Sequence, residues 1–133
     1  MAAQKRDIKL SEYNISPELY GELKYFCRQY AEKKNEIEQL YGTSSVASDG
    51  MPHAQGSGNP TERAAIRLLQ LKRDVEQIEE AAAIADPTLS SWILRSVTQG
   101  IAYEQLGAPI SRTKFYDTRR YFFYILAQKQ GKI

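Results

Sequence analysis

The sequence predicts an all-α protein in which a long antiparallel helical hairpin, similar to a coiled coil, is followed by a compact C-terminal helix-turn-helix. Two long stretches carry apolar residues at alternating spacings of three and four, which is the pattern of paired helices. Each stretch begins at a helix-start signal, and shorter helical patterns follow Pro87. With 133 residues, the chain has the length of one domain, or of a small domain with an appendage.

The first long helix is predicted to begin after Ser16 and to end near Tyr41-Gly42. Ser16 can accept hydrogen bonds from the first free amides, Pro17 suits the first helical position, and Glu18 favours the positive end of the helix. Lys33 is the one polar residue in a seam that otherwise consists of Leu19, Leu23, Phe26, Tyr30, Ile37 and Leu40.

The second long helix is predicted to begin at Asn59 and to end before Asp86-Pro87. Asn59 can cap it, Pro60 takes its first position, and Glu62 completes an arrangement similar to a capping box. The matching seams predict that residues 16–86 form the antiparallel hairpin, through which copies of the chain would form a homo-oligomer. The second seam consists of Ala64, Leu68, Leu71, Val75, Ile78, Ala82 and Ala85.

Two segments lack this periodicity. Residues 42–58 are rich in Gly, Ser and Ala and are longer than neighbouring helices require, so a mobile linker is predicted there. Residues 1–15 show no clear pattern and are predicted to be a flexible N-terminal arm, whose order depends on a partner.

Residues 87–133 are predicted to form the helix-turn-helix unit. A first helix ends around Gly100, and a second of at most two turns ends before Gly107. Ser111 offers an N-cap for a last helix over residues 112–128. Three helices in this order are typical of a helix-turn-helix.

The basic charge of the chain is concentrated at this C-terminal end. Residues 1–86 contain 11 basic and 14 acidic residues, whereas residues 87–133 contain 7 basic and 2 acidic residues. From Ser111 to Lys129, five basic residues and one acidic residue are interleaved with aromatic ones. This composition is typical of a helix that meets phosphates and base edges, so double-stranded DNA is the expected partner. A solvated basic face without a partner is the simpler interpretation of the charge alone.

The last helix separates into two sides at about 100° per residue. One side is apolar and is expected to pack against the two preceding helices; it consists of Phe115, Phe122, Ile125 and Leu126. The other side and the first turn contain the residues predicted to contact DNA, with Arg119 at the margin: Ser111, Arg112, Thr113, Lys114, Tyr116, Asp117, Arg119 and Arg120.

The stretches 97–106 and 110–116, followed by Arg119-Arg120, resemble the sigma-region-4-like helix-turn-helix of the RinA and ArpU families. Those families regulate late-gene transcription in phages and prophages of Gram-positive bacteria. The resemblance covers most of the chain after Ser16, because an N-terminal helix, a Gly/Ser-rich break and a second long helix precede the C-terminal unit. It implies a sequence-specific DNA-binding transcription regulator of phage or prophage origin, with RNA polymerase as a further partner.

Other classes of function have little support in the residues. Cys27 and His53 are the single cysteine and histidine, so neither an intrachain disulfide nor a zinc-like cluster can form, and no metal or cofactor is expected. No catalytic constellation is present, and we expect no enzyme activity. The apolar runs are far shorter than a membrane span and the chain has a single cysteine, so the cytoplasm is the expected location, and the resemblance implies the cytoplasm of a bacterial host cell.

Two other interpretations fit the same pattern. The small terminase subunit of a phage packaging motor also joins a helix-turn-helix to helical oligomerisation segments, and a ring of many subunits would favour it. A non-catalytic inhibitor or adaptor would use the acidic hairpin as its binding surface, and its DNA affinity would be weak and insensitive to sequence.

Overall fold

Helices make up all the regular secondary structure in residues 10–47 and 60–133, which are the residues described by a computed structural model. The predicted all-α fold is therefore confirmed for this part of the chain. A 3-10 turn, Leu10–Tyr13, precedes six α-helices: α1 (Pro17–Arg28), α2 (Tyr30–Ala47), α3 (Pro60–Ala85), α4 (Ser90–Gln99), α5 (Tyr103–Leu106) and α6 (Arg112–Lys129).

The predicted start of the first helix is confirmed, but its predicted continuity is wrong. Ser16 Oγ accepts a hydrogen bond from the Leu19 amide at 3.0 Å. The helix then stops at Gln29, whose amide bonds back to the Phe26 carbonyl, three residues earlier instead of four. Two helices, α1 and α2, therefore replace the single predicted one.

The break separates two apolar faces that the sequence pattern joined into one. In α1 the fully buried residues are Leu23 and Cys27, spaced by four, and α1 packs mainly against α4 and α6. The heptad spacing instead continued through Phe26 and Tyr30. The predicted hairpin over residues 16–86 therefore loses its first segment to the C-terminal helices.

The first residues of the predicted linker are helical. Helix α2 continues through Gly42 to Ala47, so residues 42–47 are helical. Residues 48–59, which include the rest of the predicted linker and the predicted Asn59 cap, lie outside the described residues. Helix α3 has the predicted bounds.

The described chain divides into two compact units, with one boundary between α1 and α2 and the other inside α3. The two-helix unit, residues 30–76, contains α2 and most of α3. Lys33 Nζ lies 2.9 Å from Asp74 Oδ2, and Arg67 donates to both carboxylate oxygens of Glu36, at 2.9 and 3.0 Å. These contacts connect the two helices, and Leu71 is fully buried.

The C-terminal unit, residues 10–29 and 77–133, has its core between α1, α4 and α6. The predicted apolar side of the last helix is confirmed, because all four of its residues are buried. The aromatic rings of Phe122 and Phe123 meet edge to face, with centroids 5.1 Å apart. The largest fully buried side chains of this unit are Leu23, Ile78, Ile93, Phe115, Phe122, Phe123 and Leu126.

None of the helices in residues 10–47 and 60–133 has the length and apolar character needed to cross a membrane. In the same residues, His, Cys, Asp and Glu side chains form no group of three or more that could hold a metal ion.

The side chain of Asp86 stabilises the turn that connects α3 and α4. Its Oδ1 accepts hydrogen bonds from the Thr88 hydroxyl at 2.7 Å, the Thr88 amide at 2.9 Å and the Leu89 amide at 3.3 Å. The side-chain bond from Thr88 is the main cause that holds the pKa of the Asp86 carboxyl below its ordinary value. The carboxylate therefore stabilises the turn in its charged form.

We expect Asp86→Ala to lower the free energy of unfolding by about 1 kcal/mol at neutral pH, the usual effect of losing a capping side chain. Because the pKa is lower in the folded than in the unfolded protein, this stabilisation is complete above the unfolded pKa and is lost as the pH falls through the folded pKa. In urea unfolding, the gap between wild type and variant should shrink below about pH 4. Asp86→Asn keeps an acceptor oxygen and is the control for the charge. A gap unchanged at about pH 3 would contradict the expected role of the charge.

Candidate nucleic-acid interface

The three helices predicted for the helix-turn-helix are present, and glycines end the first two of them. Gly100 ends α4 with φ 70°, and Gly107 ends α5 with φ 72°. Both angles lie in the left-handed region, which side chains other than glycine adopt at a cost. The turns on either side of α5 therefore depend on these two glycines.

Tyr103 fixes the turn between α5 and α6. Its hydroxyl donates to the carbonyl of Ile110, which is the residue before the cap of α6. Its ring lies 5.4 Å from the fully buried ring of Phe115, measured between centroids. A hydrogen bond and a ring contact from one side chain thus set the direction in which α6 begins.

The first turn of α6 presents several of the predicted DNA-contacting residues to solvent. Ser111 Oγ accepts a hydrogen bond from the Lys114 amide at 3.2 Å, so the predicted N-cap is confirmed. The side chains of Arg112, Thr113 and Lys114 are exposed. This end of a helix carries partial positive charge, which adds to the charges of Arg112 and Lys114.

Arg112 is held in place without being buried. Its guanidinium bonds to the Glu104 carboxylate of α5 and lies 5.1 Å from the centroid of the Tyr116 ring. The side chain still exposes 46% of its surface. An arginine fixed on one side and open on the other can exchange its surface ion pair for a nucleic-acid contact at small cost.

The side chain of Arg119 bonds to residues of two other helices. Its Nε donates to Ser96 Oγ at 3.0 Å and its Nη1 donates to Tyr20 Oη at 3.1 Å. The guanidinium also lies 5.2 Å from the centre of the Phe123 ring. Arg119 thus connects α6 to α1 and α4, and its predicted contact with DNA is not supported by where the side chain lies.

Arg120 is not exposed, contrary to the prediction. Its side chain exposes only 11% of its surface and donates to Asp117 Oδ1 at 2.8 Å. The N-terminal segment also packs on this helix, because Tyr13 lies against Tyr124 of α6 with ring centroids 4.9 Å apart. Burial raises the pKa of the Tyr13 phenol, while the charge of Arg120 lowers it and the charge of Asp117 raises it.

The segment over α6 belongs to the predicted flexible arm. Tyr13 is half-buried, Ile15 is buried, and burial raises the pKa of the Tyr13 phenol. Tyr13 and Ile15 are therefore packed, while residues 1–9 of the predicted arm lie outside the described residues. An apolar residue directly before the cap, Ile15 before Ser16, was the sequence signal that could have indicated this packing.

Some cations of the C-terminal half are neutralised by acidic residues. Lys129 Nζ lies 2.9 Å from Glu80 Oε1, and Lys132 pairs with Glu22. Together with Arg119 and Arg120, these lysines account for much of the basic excess seen in the sequence. Arg112 and Lys114 at the start of α6 keep their exposed positions.

We expect Arg120→Ala to lower the free energy of unfolding by about 1–2 kcal/mol, because it removes a mostly buried charged hydrogen bond and the packing of the arginine stem. Arg95→Ala is the matched control, since Arg95 is an exposed arginine on α4 and should change stability by less than about 0.5 kcal/mol. Urea unfolding of both variants measures the difference. Equal stability of the two variants would show that Arg120 is not part of the packed structure.

Comparison with known proteins adds no relative to this description. No family model, no curated protein and no solved structure matches the chain. The geometry and charge of α4, α5 and α6 are therefore the grounds on which a function is proposed.

Proposed function

We propose that this protein is a sequence-specific DNA-binding transcription regulator and that the first turn of α6 enters the major groove. The observation that supports this most strongly is the exposed Arg112, Thr113 and Lys114 at the capped start of a helix that otherwise packs into the core. In helix-turn-helix proteins, the N-terminal residues of the second helix of the motif contact base edges.

The residues divide by the chemistry of their contacts. Arg112 can pair with guanine through two hydrogen bonds, and Thr113 can reach a base edge or a thymine methyl. Lys114 suits a phosphate, because an ammonium is a point charge without the planar geometry that reads a base. Ser111 acts through its cap. Tyr116 and Asp117 are half-buried and follow the first turn of α6, which we call the reading turn (residues 112–114).

The middle of α6 has a supporting role in this proposal. Arg119 holds α6 against α1 and α4, and Tyr124 packs on the N-terminal segment, so these contacts fix the direction of the helix. The reading surface is therefore shorter than the whole polar side of the helix. It is limited to about the first turn and a half.

The biological setting is part of the proposal and rests on the resemblance of residues 97–116 to the RinA and ArpU families. Control of late-gene transcription in a phage or prophage would add RNA polymerase as a partner. Association through the helices of the two-helix unit would place two reading turns on one DNA site, as dimeric helix-turn-helix proteins do.

Selection of bound duplexes from a random pool, at two salt concentrations, tests the proposal. We expect a common sequence motif at both concentrations, because base contacts depend less on salt than phosphate contacts do. A pool that stays random at both concentrations would overturn sequence-specific binding. Binding that disappears entirely at the higher salt would point to the inhibitor or adaptor interpretation.

A further inference from the structure

Helix α1 carries a cationic flank that the reading turn of α6 does not use. Lys24 and Arg28 are one turn apart on α1, and both are exposed. With Gly21 and Tyr25 they line a surface cavity of about 350 Å³. The Tyr25 ring beside them exposes 74% of its surface. The cavity is therefore open, basic and bordered by an aromatic ring.

The charges of α1 are separated by sign around the helix. At about 100° per residue, Lys24 and Arg28 point within about 40° of each other, whereas Glu18 and Glu22 lie about 120° away on average. Glu22 pairs with Lys132, so the acidic flank is directed toward the C-terminal end of the chain. The basic flank consequently forms a positive surface of its own.

Arg28 places this flank beside the candidate nucleic-acid interface. Its guanidinium lies against Gly100, because a Cβ atom added to Gly100 would be 2.8 Å from Arg28 Nη1. Gly100 ends α4, and four residues later Glu104 bonds to Arg112. Residues 100 and 104 can be at most about 15 Å apart, given about 3.8 Å between successive Cα atoms.

This upper limit is comparable with the width of the major groove of duplex DNA. The major groove is about 12 Å wide and is bordered by a phosphate backbone on each side. Arg28, which lies against residue 100, and Arg112, which is bonded to residue 104, can therefore reach the same groove, Arg112 at the base edges and Arg28 at the bordering phosphates. The glycine at position 100 contributes by leaving room for Arg28.

We infer that Lys24 and Arg28 bind backbone phosphates of duplex DNA next to the base pairs that the start of α6 reads. Arginine can bind a phosphate through two hydrogen bonds, and lysine neutralises it as a point charge. Such contacts position a protein on DNA without distinguishing its sequence. The inference rests on the proposed function, and it extends the interface to a helix outside the helix-turn-helix.

The test compares the double variant Lys24→Gln/Arg28→Gln with the wild-type protein on the selected duplex and on a scrambled duplex. Each phosphate contact contributes about 0.9 to the slope of log affinity against log salt, so the slope should fall by about 2 units. At about 0.1 M salt this corresponds to roughly a tenfold loss of affinity for each contact. Both duplexes should lose affinity equally, and the ratio between them should stay unchanged.

The matched control is Lys34→Gln/Arg73→Gln, which removes one exposed lysine and one exposed arginine from the two-helix unit. It should leave the slope unchanged. An unchanged slope for the Lys24/Arg28 variant, or an equal fall for the control, would overturn the phosphate contact while the proposed function stood. Wild-type protein that binds neither duplex would overturn the proposed function, and this inference with it.

Discussion

Phe115→Ala is expected to lower the free energy of unfolding by about 3–5 kcal/mol, the usual loss for a buried phenylalanine. Phe115 is fully buried at the start of α6, where its ring meets Tyr103 and Tyr116, at 5.4 and 5.5 Å between centroids. Truncation leaves a cavity under the turn that directs α6. The same change should therefore weaken any function that depends on the direction of this helix.

Chemical unfolding followed by tryptophan fluorescence measures this loss, because the single tryptophan, Trp92, lies on α4 in the same unit. Tyr25→Ala is the control, since it removes an aromatic ring that is 74% exposed and should change stability little. If the two variants unfolded at the same denaturant concentration, Phe115 would not be part of the core described above.

Leu71→Ala is expected to lower the free energy of unfolding by about 2–5 kcal/mol. Leu71 belongs to the predicted seam of the second long helix and is fully buried in the structure. Removing its side chain leaves a cavity, and the surrounding side chains can fill only part of it. The change tests whether the apolar seam of α3 stabilises the protein.

Helix α3 offers a matched control two residues away. Leu69→Ala makes the same chemical change at a side chain that is 64% exposed, so it should alter stability by less than about 0.5 kcal/mol. Circular dichroism during urea unfolding compares the two. A Leu71 variant as stable as the Leu69 variant would contradict the packing of the seam.

Local signals predicted most of the helices, because caps and breakers act over a few residues. Ser16 and Ser111 cap their helices through hydrogen bonds to amides three residues later, as the sequence indicated. Gly100 and Gly107 end α4 and α5 where expected. The buried side of α6 also followed from spacing, since one helix presents its apolar residues at fixed angles.

The features that sequence reasoning missed depend on contacts between distant residues. Tyr20 and Arg119 are 99 residues apart and share a hydrogen bond, and nothing in the local spacing indicates it. Tyr13 packs on Tyr124 of α6 from the other end of the chain, and Arg120, on the polar side of α6, is mostly buried. The heptad spacing also continued across Gln29, although α1 packs against α4 and α6 and α2 contacts α3.

The candidate interface was predicted in part. The sequence indicated an exposed and basic first turn of α6, and Arg112, Thr113 and Lys114 are exposed there. Glu104 was not singled out, although it holds Arg112 from α5. An ion pair between two helices depends on the angle between them, which residue spacing alone does not determine.

Comparing variants of Arg112 and of its partner Glu104 tests whether Arg112 contacts a base. If Arg112 reads a base, Arg112→Ala should weaken binding of the selected duplex by about 1–3 kcal/mol and reduce discrimination at one base position. Glu104→Ala breaks the same ion pair but leaves the arginine, so it should keep or increase affinity. Loss of binding in both variants would mean that the ion pair only supports the fold.

The central claim, that the first turn of α6 reads DNA sequence, is tested most directly by the ratio of dissociation constants for the selected and scrambled duplexes. For the wild-type protein this ratio should be at least about 10³ at physiological salt. Arg112→Ala should reduce the ratio about tenfold, whereas Lys114→Ala should weaken both duplexes equally and leave it unchanged. A wild-type ratio near 1, or a folded Arg112→Ala protein with the wild-type ratio, would contradict the claim.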